Sequence, residues 1–241
     1  MAIELGYRVV DVFSDRPLAG NAVCVVLDPC PEPVMGALAR EVNLSETTFP
    51  TVIGDDEYDV RIFTPTGELP FAGHPSLGTG WVLGPGRWTQ TSEIGEVPAA
   101  WLTDASLESA EGAYRAEAGG VAHLLVPVTA RLDRLRLGPA ALGELAEKAR
   151  VTTVGLFVPL DDSTLHARVF VPAEGFEDPG TGSAAGPIAL LARSLWGTAT
   201  DVIIHQGDEI GRPCRIEVHA EEGDVRVGGR ITASAEGRFT L

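Results

Sequence analysis

Glu46, His74, Asp178 and Ser183 are the residues of this sequence whose types and settings could move a proton. Carboxylates and imidazoles are common general acids and bases, and a hydroxyl can hold or relay beside them. Glu46 stands in NLSETTFP, just past a helical pattern and at the head of a strand. His74 stands in AGHPS, and Asp178 and Ser183 stand in FEDPGTGS. Taken singly, each has an ordinary explanation: a solvated acid for Glu46, a helix cap for His74 or Ser183, an Asp-Pro turn for Asp178. Three of the four, however, lie on a pattern that occurs twice.

The two copies are RIFTPTGELPFAGHPSLG, from Arg61 to Gly78, and RVFVPAEGFEDPGTGSAAG, from Arg168 to Gly186. Arg61, Phe63, Pro65 and Ser76 align without a gap onto Arg168, Phe170, Pro172 and Ser183. Copies about 107 residues apart indicate two related halves, because solenoid units recur every 20–50 residues or so. Each copy enters an apolar stretch through a glycine-rich turn. Such a helix start presents unpaired N–H groups and the positive end of the helix dipole. Two of them facing each other would hold an anion.

Short strands and a few helices must position these residues. YRVVDVF and AVCVVLD are β-rich runs flanking the turn signal SDRPLAGN. Val34, Met35, Leu38 and Val42 give a helical period ending at Asn43. ETTFPTVI, YDVRIFTP, HLLVPV, VTTVGLFVPL and LHARVFVP read as strands, and ALGELAEKAR as a helix. The proline of His74-Pro75 suits a first helical position, and that helix runs to about Leu83. It contains Gly78 and Gly80, each costing about 1 kcal/mol against alanine in a helix, so close packing against a curved sheet is expected. Pro187 falls in the opening turns of the second helix, which must start later than the motif or be kinked. The tail from Cys214 alternates as an antiparallel meander. The order is α+β, with halves at 1–115 and 116–241, and the last strand is free to pair with the first half.

Composition removes several classes of function. Thirty-four acids against 18 bases give a net charge of −16, which repels nucleic acid and anionic lipid. No apolar run approaches the roughly 20 residues of a membrane span. The opening MAIELGYRVVDVF lacks a basic leader, so residence in the cytoplasm is expected. The one lysine, Lys148, sits in an amphipathic helix, a poor setting for a Schiff base. Cys24, Cys30 and Cys214 are scattered, with no CxxC or Cys/His ligand pair, so no disulfide framework or metal site is indicated. No GxGxxG or GxxxxGK[ST] motif supports a nucleotide cofactor.

The blocks NLSETTFP, RIFTPTGELPFAGHPSLG, EDPGTGSA, QGDEIGRP and VRVGGRITASAEGRFTL, in this order, resemble those of the PhzF-like phenazine-biosynthesis family, which has the diaminopimelate-epimerase-like fold. The resemblance covers about 5–84 and 165–241. It implies two pseudo-symmetric halves, each a curved, mostly antiparallel sheet or barrel around a central helix, with the active site between them. It implies Glu46 as general acid/base, with His74, Asp178 and Ser183 holding substrate and stabilising charge. Gly73, Ser76, Gly180, Thr181 and Gly182 would bind the substrate, largely through backbone donors. The activity implied is a cofactor-free isomerisation of a small anionic cyclic hydroxy-dienoic acid, of the trans-2,3-dihydro-3-hydroxyanthranilate type, in secondary metabolism. A homodimer is implied as well.

Two alternatives accompany this reading: a Glu46-based epimerase or racemase of a small carboxylic acid, and a non-catalytic acid-binding protein on the same fold. A two-thiol racemase is disfavoured, since neither glycine turn carries a cysteine. The sequence departs from the family in three places. It is short between Gly84 and Ala122, it has Pro187 in the second helix, and it has Cys214 after GRP, where the thiol is expected to pack as a small hydrophobe.

Overall fold

A computed structural model describes residues 3–54, 58–84, 94–96, 112–135, 137–221 and 223–241, with backbone alone for 94–96. The elements run β1 (Glu4–Val12), β2 (Asn21–Val26), α1 (Glu32–Val42), β3 (Glu46–Val52), β4 (Tyr58–Phe63), β5 (Glu68–Leu69) and α2 (Gly73–Leu83). They continue with β6 (Ile94–Glu96), β7 (Tyr114–Ala118), β8 (Val121–Pro127), α3 (Pro139–Ala149), β9 (Thr153–Asp161), β10 (Thr164–Val171), β11 (Phe176–Asp178) and α4 (Gly182–Trp196). The last are β12 (Asp201–Gln206), β13 (Cys214–Glu221), β14 (Asp224–Gly228) and β15 (Ile231–Thr240), with short 3-10 turns at Leu132–Arg134 and Asp208–Ile210. The chain divides into two compact units, Met1–Thr91 with Arg230–Leu241, and Ser92–Gly229; the halves expected from sequence were 1–115 and 116–241.

The first unit is a six-stranded sheet in the order β15-β1-β2-β3-β4-β5. On one face α1 covers Leu5, Cys24, Val26, Phe49 and Phe63. On the other lies α2, which touches β1, β2 and β3. Gly78 is explained by that contact: a Cβ there would stand 2.5 Å from Val23 and 3.1 Å from both Val10 and Val12. The helix can approach the sheet only without a side chain there, and tight packing offsets the cost of glycine in a helix.

The second unit repeats this plan with a nine-stranded sheet, order β14-β13-β12-β10-β9-β8-β7-β6, with β11 paired on β10. Helix α3 seals one face over Leu124, Val126, Val154 and Leu156. Helix α4 packs on the other and touches β14 and β13 towards one end of the sheet and β7, β8 and β9 towards the other. A sheet that meets one helix with both of its ends must curl around it. The fold is α+β, as expected.

Four details sharpen or correct the sequence reading. The tail is a meander only as far as β14: β13 and β14 pair with each other, and β15 leaves, as the sequence allowed, to pair with β1 along nearly its whole length, with Tyr7 stacked on Phe239 at 4.3 Å. Pairing is mostly antiparallel, as the family resemblance implied, with β2/β3, β8/β9 and β10/β12 running parallel across helical crossovers. Tyr114–Ala118, within the stretch where the chain is short for the family, is strand β7; most of 84–111 lies outside the described residues. Finally, α4 does start at the motif, at Gly182, with Pro187 inside it. The proline has no N–H, so the usual bond to the Ser183 carbonyl cannot form.

Candidate active site

In the first unit the site residues are gathered by the parallel pair β2/β3. Helix α1 ends at Asn43, whose left-handed backbone (φ 52°) turns the chain while its N–H closes on the Ala39 carbonyl. That reversal starts β3 at Glu46, in register with Val23 of β2. Along β2, Asn21, Val23 and Val25 share one face, and Val23 meets α2, so Asn21 opens the strand on the α2 side. A buried hydrogen bond of 2.8 Å between the Thr48 and Thr79 hydroxyls fastens α2 to β3.

These constraints bring His74 and Glu46 together. His74 is the second residue of α2 and only 5% exposed; Glu46 is 14% exposed. Nε2 of His74 lies 3.0 Å from Oε2 of Glu46, in ion-pair range but off the line of an N–H···O bond. On the other side of the ring, Nδ1 stands 3.2 Å from Nδ2 of the fully buried Asn21. Ser45 Oγ lies 3.3 Å from Asn21 Oδ1 and donates to it. Helix α2 is capped by Ala72, which offers no side-chain bond, so His74 is not the cap. Gly73 is its first residue. The Ser76 hydroxyl donates back to the Ala72 carbonyl at 2.8 Å, and the Ser76 carbonyl accepts from Tyr58. The bland reading of Glu46 as a solvated surface acid does not hold.

In the second unit β11 ends at Asp178, and Thr181 Oγ1 donates to its Oδ2 at 2.5 Å. Gln206, buried at the end of β12, donates to the Asp178 carbonyl (2.8 Å) and to Thr181 Oγ1 (3.0 Å), and its Oε1 accepts from the Thr181 N–H (3.3 Å). The Asp-Pro-Gly-Thr turn is held from three directions. Next to it Gly207 (φ +82°) has no room for a Cβ, which would fall 2.4 Å from the Arg212 carbonyl oxygen and 2.6 Å from that of Pro179. Gly180 and Thr181 are buried, and Gly182 and Ser183 are half-buried. The cap of α4 is Thr181, again without a side-chain bond, so Ser183 is not the cap but the second helical residue.

Sequence reasoning missed two side chains, Asn21 and Gln206. Both are amides at inward positions of otherwise apolar strands, Asn21 with Val23 and Val25, Gln206 with Val202 and Ile204. A polar residue on the buried face of an alternating strand needs a partner, and that was the available signal. Asn21 closes the SDRPLAGN turn signal, which masks its place in the strand. A second imidazole–carboxylate pair, His166 with Glu209 at 3.0 Å, was not singled out either; His166 lies on the face of β10 away from α4, with Arg168.

The thiols take no part in this arrangement. Cys24 is fully buried, and burial pushes its thiol up to about 12; Cys214 is buried too, its Sγ 3.6 Å from the Arg212 carbonyl. Among the described residues no three His, Cys, Asp or Glu side chains gather around a possible metal position. No helix among them is long and apolar enough to cross a membrane.

The family model described as phenazine biosynthesis-like protein matches residues 10–113 and 102–237. The chain belongs to this family. Among its relatives is the trans-2,3-dihydro-3-hydroxyanthranilate isomerase of Pseudomonas aeruginosa, 35% identical over 285 aligned positions that cover 98% of this chain and 99% of that protein. Of solved structures, a phenazine biosynthesis PhzF-family protein from Enterococcus faecalis superposes with a TM-score of 0.82 at 23% identity, covering 99% of this chain and 100% of the other. A predicted epimerase from Pseudomonas aeruginosa superposes with a TM-score of 0.75 at 28% identity, covering 98% and 99%. This member of the PhzF-like family therefore has the diaminopimelate-epimerase-like fold and is an isomerase.

Proposed function

We propose that the chain isomerises trans-2,3-dihydro-3-hydroxyanthranilate or a close cyclic hydroxy-dienoic acid, with Glu46 as the carbon acid/base. The observation that carries this reading is the half-buried Glu46 carboxylate set against the buried His74 at the uncapped start of α2. Moving a double bond requires taking a proton from one carbon and returning it to another, and a single carboxylate held near the substrate and away from bulk water can do both. Glu46 takes the proton from the hydroxyl-bearing carbon. The electron pair of that C–H bond becomes a new C=C, the nearer of the two ring double bonds moves one bond along, and the π pair of the other, at the carboxyl-bearing carbon, is freed to take a proton there. Glu46 then returns the proton to the carboxyl-bearing carbon. The product is an enol, and its tautomerisation leaves a ketone. Atoms and electrons balance without a coenzyme.

His74, 3.0 Å from the Glu46 carboxylate, is assigned the task of holding it in place within a partly buried site. The substrate carboxylate is assigned to the free N–H groups at a helix start, where the dipole offers about half a positive charge. Asp178 and Ser183 keep the substrate-holding roles that the family resemblance gives them. Epimerisation through Glu46 is the second reading, favoured by the likeness to the predicted epimerase. Incubation with trans-2,3-dihydro-3-hydroxyanthranilate separates the two. A change of ultraviolet absorbance as conjugation shifts is the expected result. Optical rotation that changes at constant absorbance would establish the epimerase, and the absence of both would overturn the proposal.

A further inference from the structure

We infer that Asn21 is a positioning residue that holds His74 as the neutral tautomer protonated on Nε2, facing Glu46. The inference rests on the Glu46–His74 reading above and adds what sets the state of the imidazole. Nδ1 of His74 lies 3.2 Å from the amide nitrogen of Asn21. An amide NH2 only donates, so in this arrangement Nδ1 must offer its lone pair. The neutral ring then carries its hydrogen on Nε2, the nitrogen 3.0 Å from Glu46 Oε2. The amide is oriented from its far side. Asn21 Oδ1 is 3.3 Å from Ser45 Oγ, whose hydroxyl donates to it, leaving the NH2 for the histidine.

Burial makes the arrangement decisive. Asn21 is fully buried and His74 nearly so, and a mismatched pair of donors would find little water to relieve it. An imidazolium would turn an Nδ1–H towards the Asn21 NH2, two donors facing each other. Asn21 thus opposes protonation of His74 from the side away from Glu46. The Glu46 carboxylate then faces a neutral imidazole in place of a cation. The placement follows from topology, since Asn21 opens β2, Ser45 immediately precedes the parallel strand β3, and His74 is the second residue of the helix packed on both.

The test compares the wild type with Asn21→Asp, nearly equal in shape, whose carboxylate accepts from Nδ1–H. Nitrogen-15 NMR of the free protein reads the His74 ring without any substrate. Expected are an unprotonated Nδ1 and a protonated Nε2 in the wild type, and protonation of both nitrogens in the variant. With the substrate that the wild type turns over, the variant should lose kcat on the order of tenfold or more, as misplaced imidazole protons do elsewhere, with KM little changed. Asn21→Ser, which can still donate, should recover part of the loss and the wild-type ring signature. A wild-type spectrum with Nδ1–H would overturn the inference, as would unchanged kcat in an Asn21→Asp protein whose ring has become doubly protonated. The NMR outcome stands whether or not the proposed substrate is correct, so failure of that reading is seen separately, in the absorbance assay.

Discussion

At the scale of single residues, placement against neighbours separates chemistry from architecture. Glu46 and His74 are ordinary types in ordinary motifs. What singles them out is that one is nearly buried, the other half-buried, and they touch. His123 shows the opposite case. It is fully buried in β8, its Nδ1 2.6 Å from the hydroxyl of Thr153 in the paired strand β9, and burial pushes its imidazole from an ordinary value of 6.5 down to about 4. A base whose folded value is depressed stabilises the fold fully above the unfolded value and loses that contribution as pH falls towards the folded one. Global stability should therefore drop by about 3 kcal/mol between roughly pH 6.5 and 4 from this residue alone. Denaturant titrations at several pH values measure it, and His123→Gln, which stays neutral, should flatten the dependence over that window. An unchanged pH profile in the variant would show that His123 is already charged in the fold or is not the cause. Sequence gave no warning of His123, since nothing in HLLVPV says that its first residue points inward.

At the scale of elements, the repeat legible in the sequence is an ionic pin. Arg61 makes a bidentate pair with Glu68 across the β4/β5 hairpin and lies over Phe63, and Arg168 does the same with Glu177 and Phe170 across β10/β11. Each pin fixes the hairpin that delivers the chain to its inner helix. The gap-free alignment of the two copies proves only half right. Phe63 pairs with Glu68 but Phe170 with Glu177, so the second hairpin is two residues longer. From there on, Gly73 and His74 correspond to Gly182 and Ser183, the first and second residues of their helices, and Ser76 no longer matches Ser183. Letter matching hid this because a serine happened to fall at the unshifted spacing, and helical position depends on where the hairpin closes. The two pins also differ in burial. Arg168 and Glu177 are 11% and 8% exposed, and Arg168 donates further to the Leu132 and Leu135 carbonyls; Arg61 and Glu68 are 32% and 42% exposed. Arg168→Met leaves a buried carboxylate without its partner and should cost about 3–5 kcal/mol by denaturant unfolding. Arg61→Met breaks an exposed, solvent-screened pair and should change stability little. Equal losses in the two variants would contradict this account of the pins.

At the scale of the whole chain, the α+β class, the two repeated units and the four helices among the described residues were legible because hydrophobic period and turn chemistry are local signals. The return of β15 to β1 and the parallel pairings were less so, because strand partners are chosen by tertiary packing. With a net charge of −16, an anionic substrate of the proposed kind would have to be held by local donors. Family membership is equally a property of the whole chain, which aligns with an isomerase along nearly the full length of both proteins. What remains specific to this molecule is which atom moves the proton, and isotope exchange reads that directly. Wild-type protein and Glu46→Gln are each incubated with trans-2,3-dihydro-3-hydroxyanthranilate in D2O, and product and recovered substrate are analysed by NMR and mass spectrometry. With Glu46 as the carbon acid/base, deuterium is expected at the carboxyl-bearing carbon of the wild-type product, at less than full occupancy if Glu46 returns part of the proton it took. A fall of about 100-fold or more is expected in Glu46→Gln, with the melting temperature retained. Undiminished exchange in Glu46→Gln, or binding of the substrate with no exchange in either protein, would contradict that role.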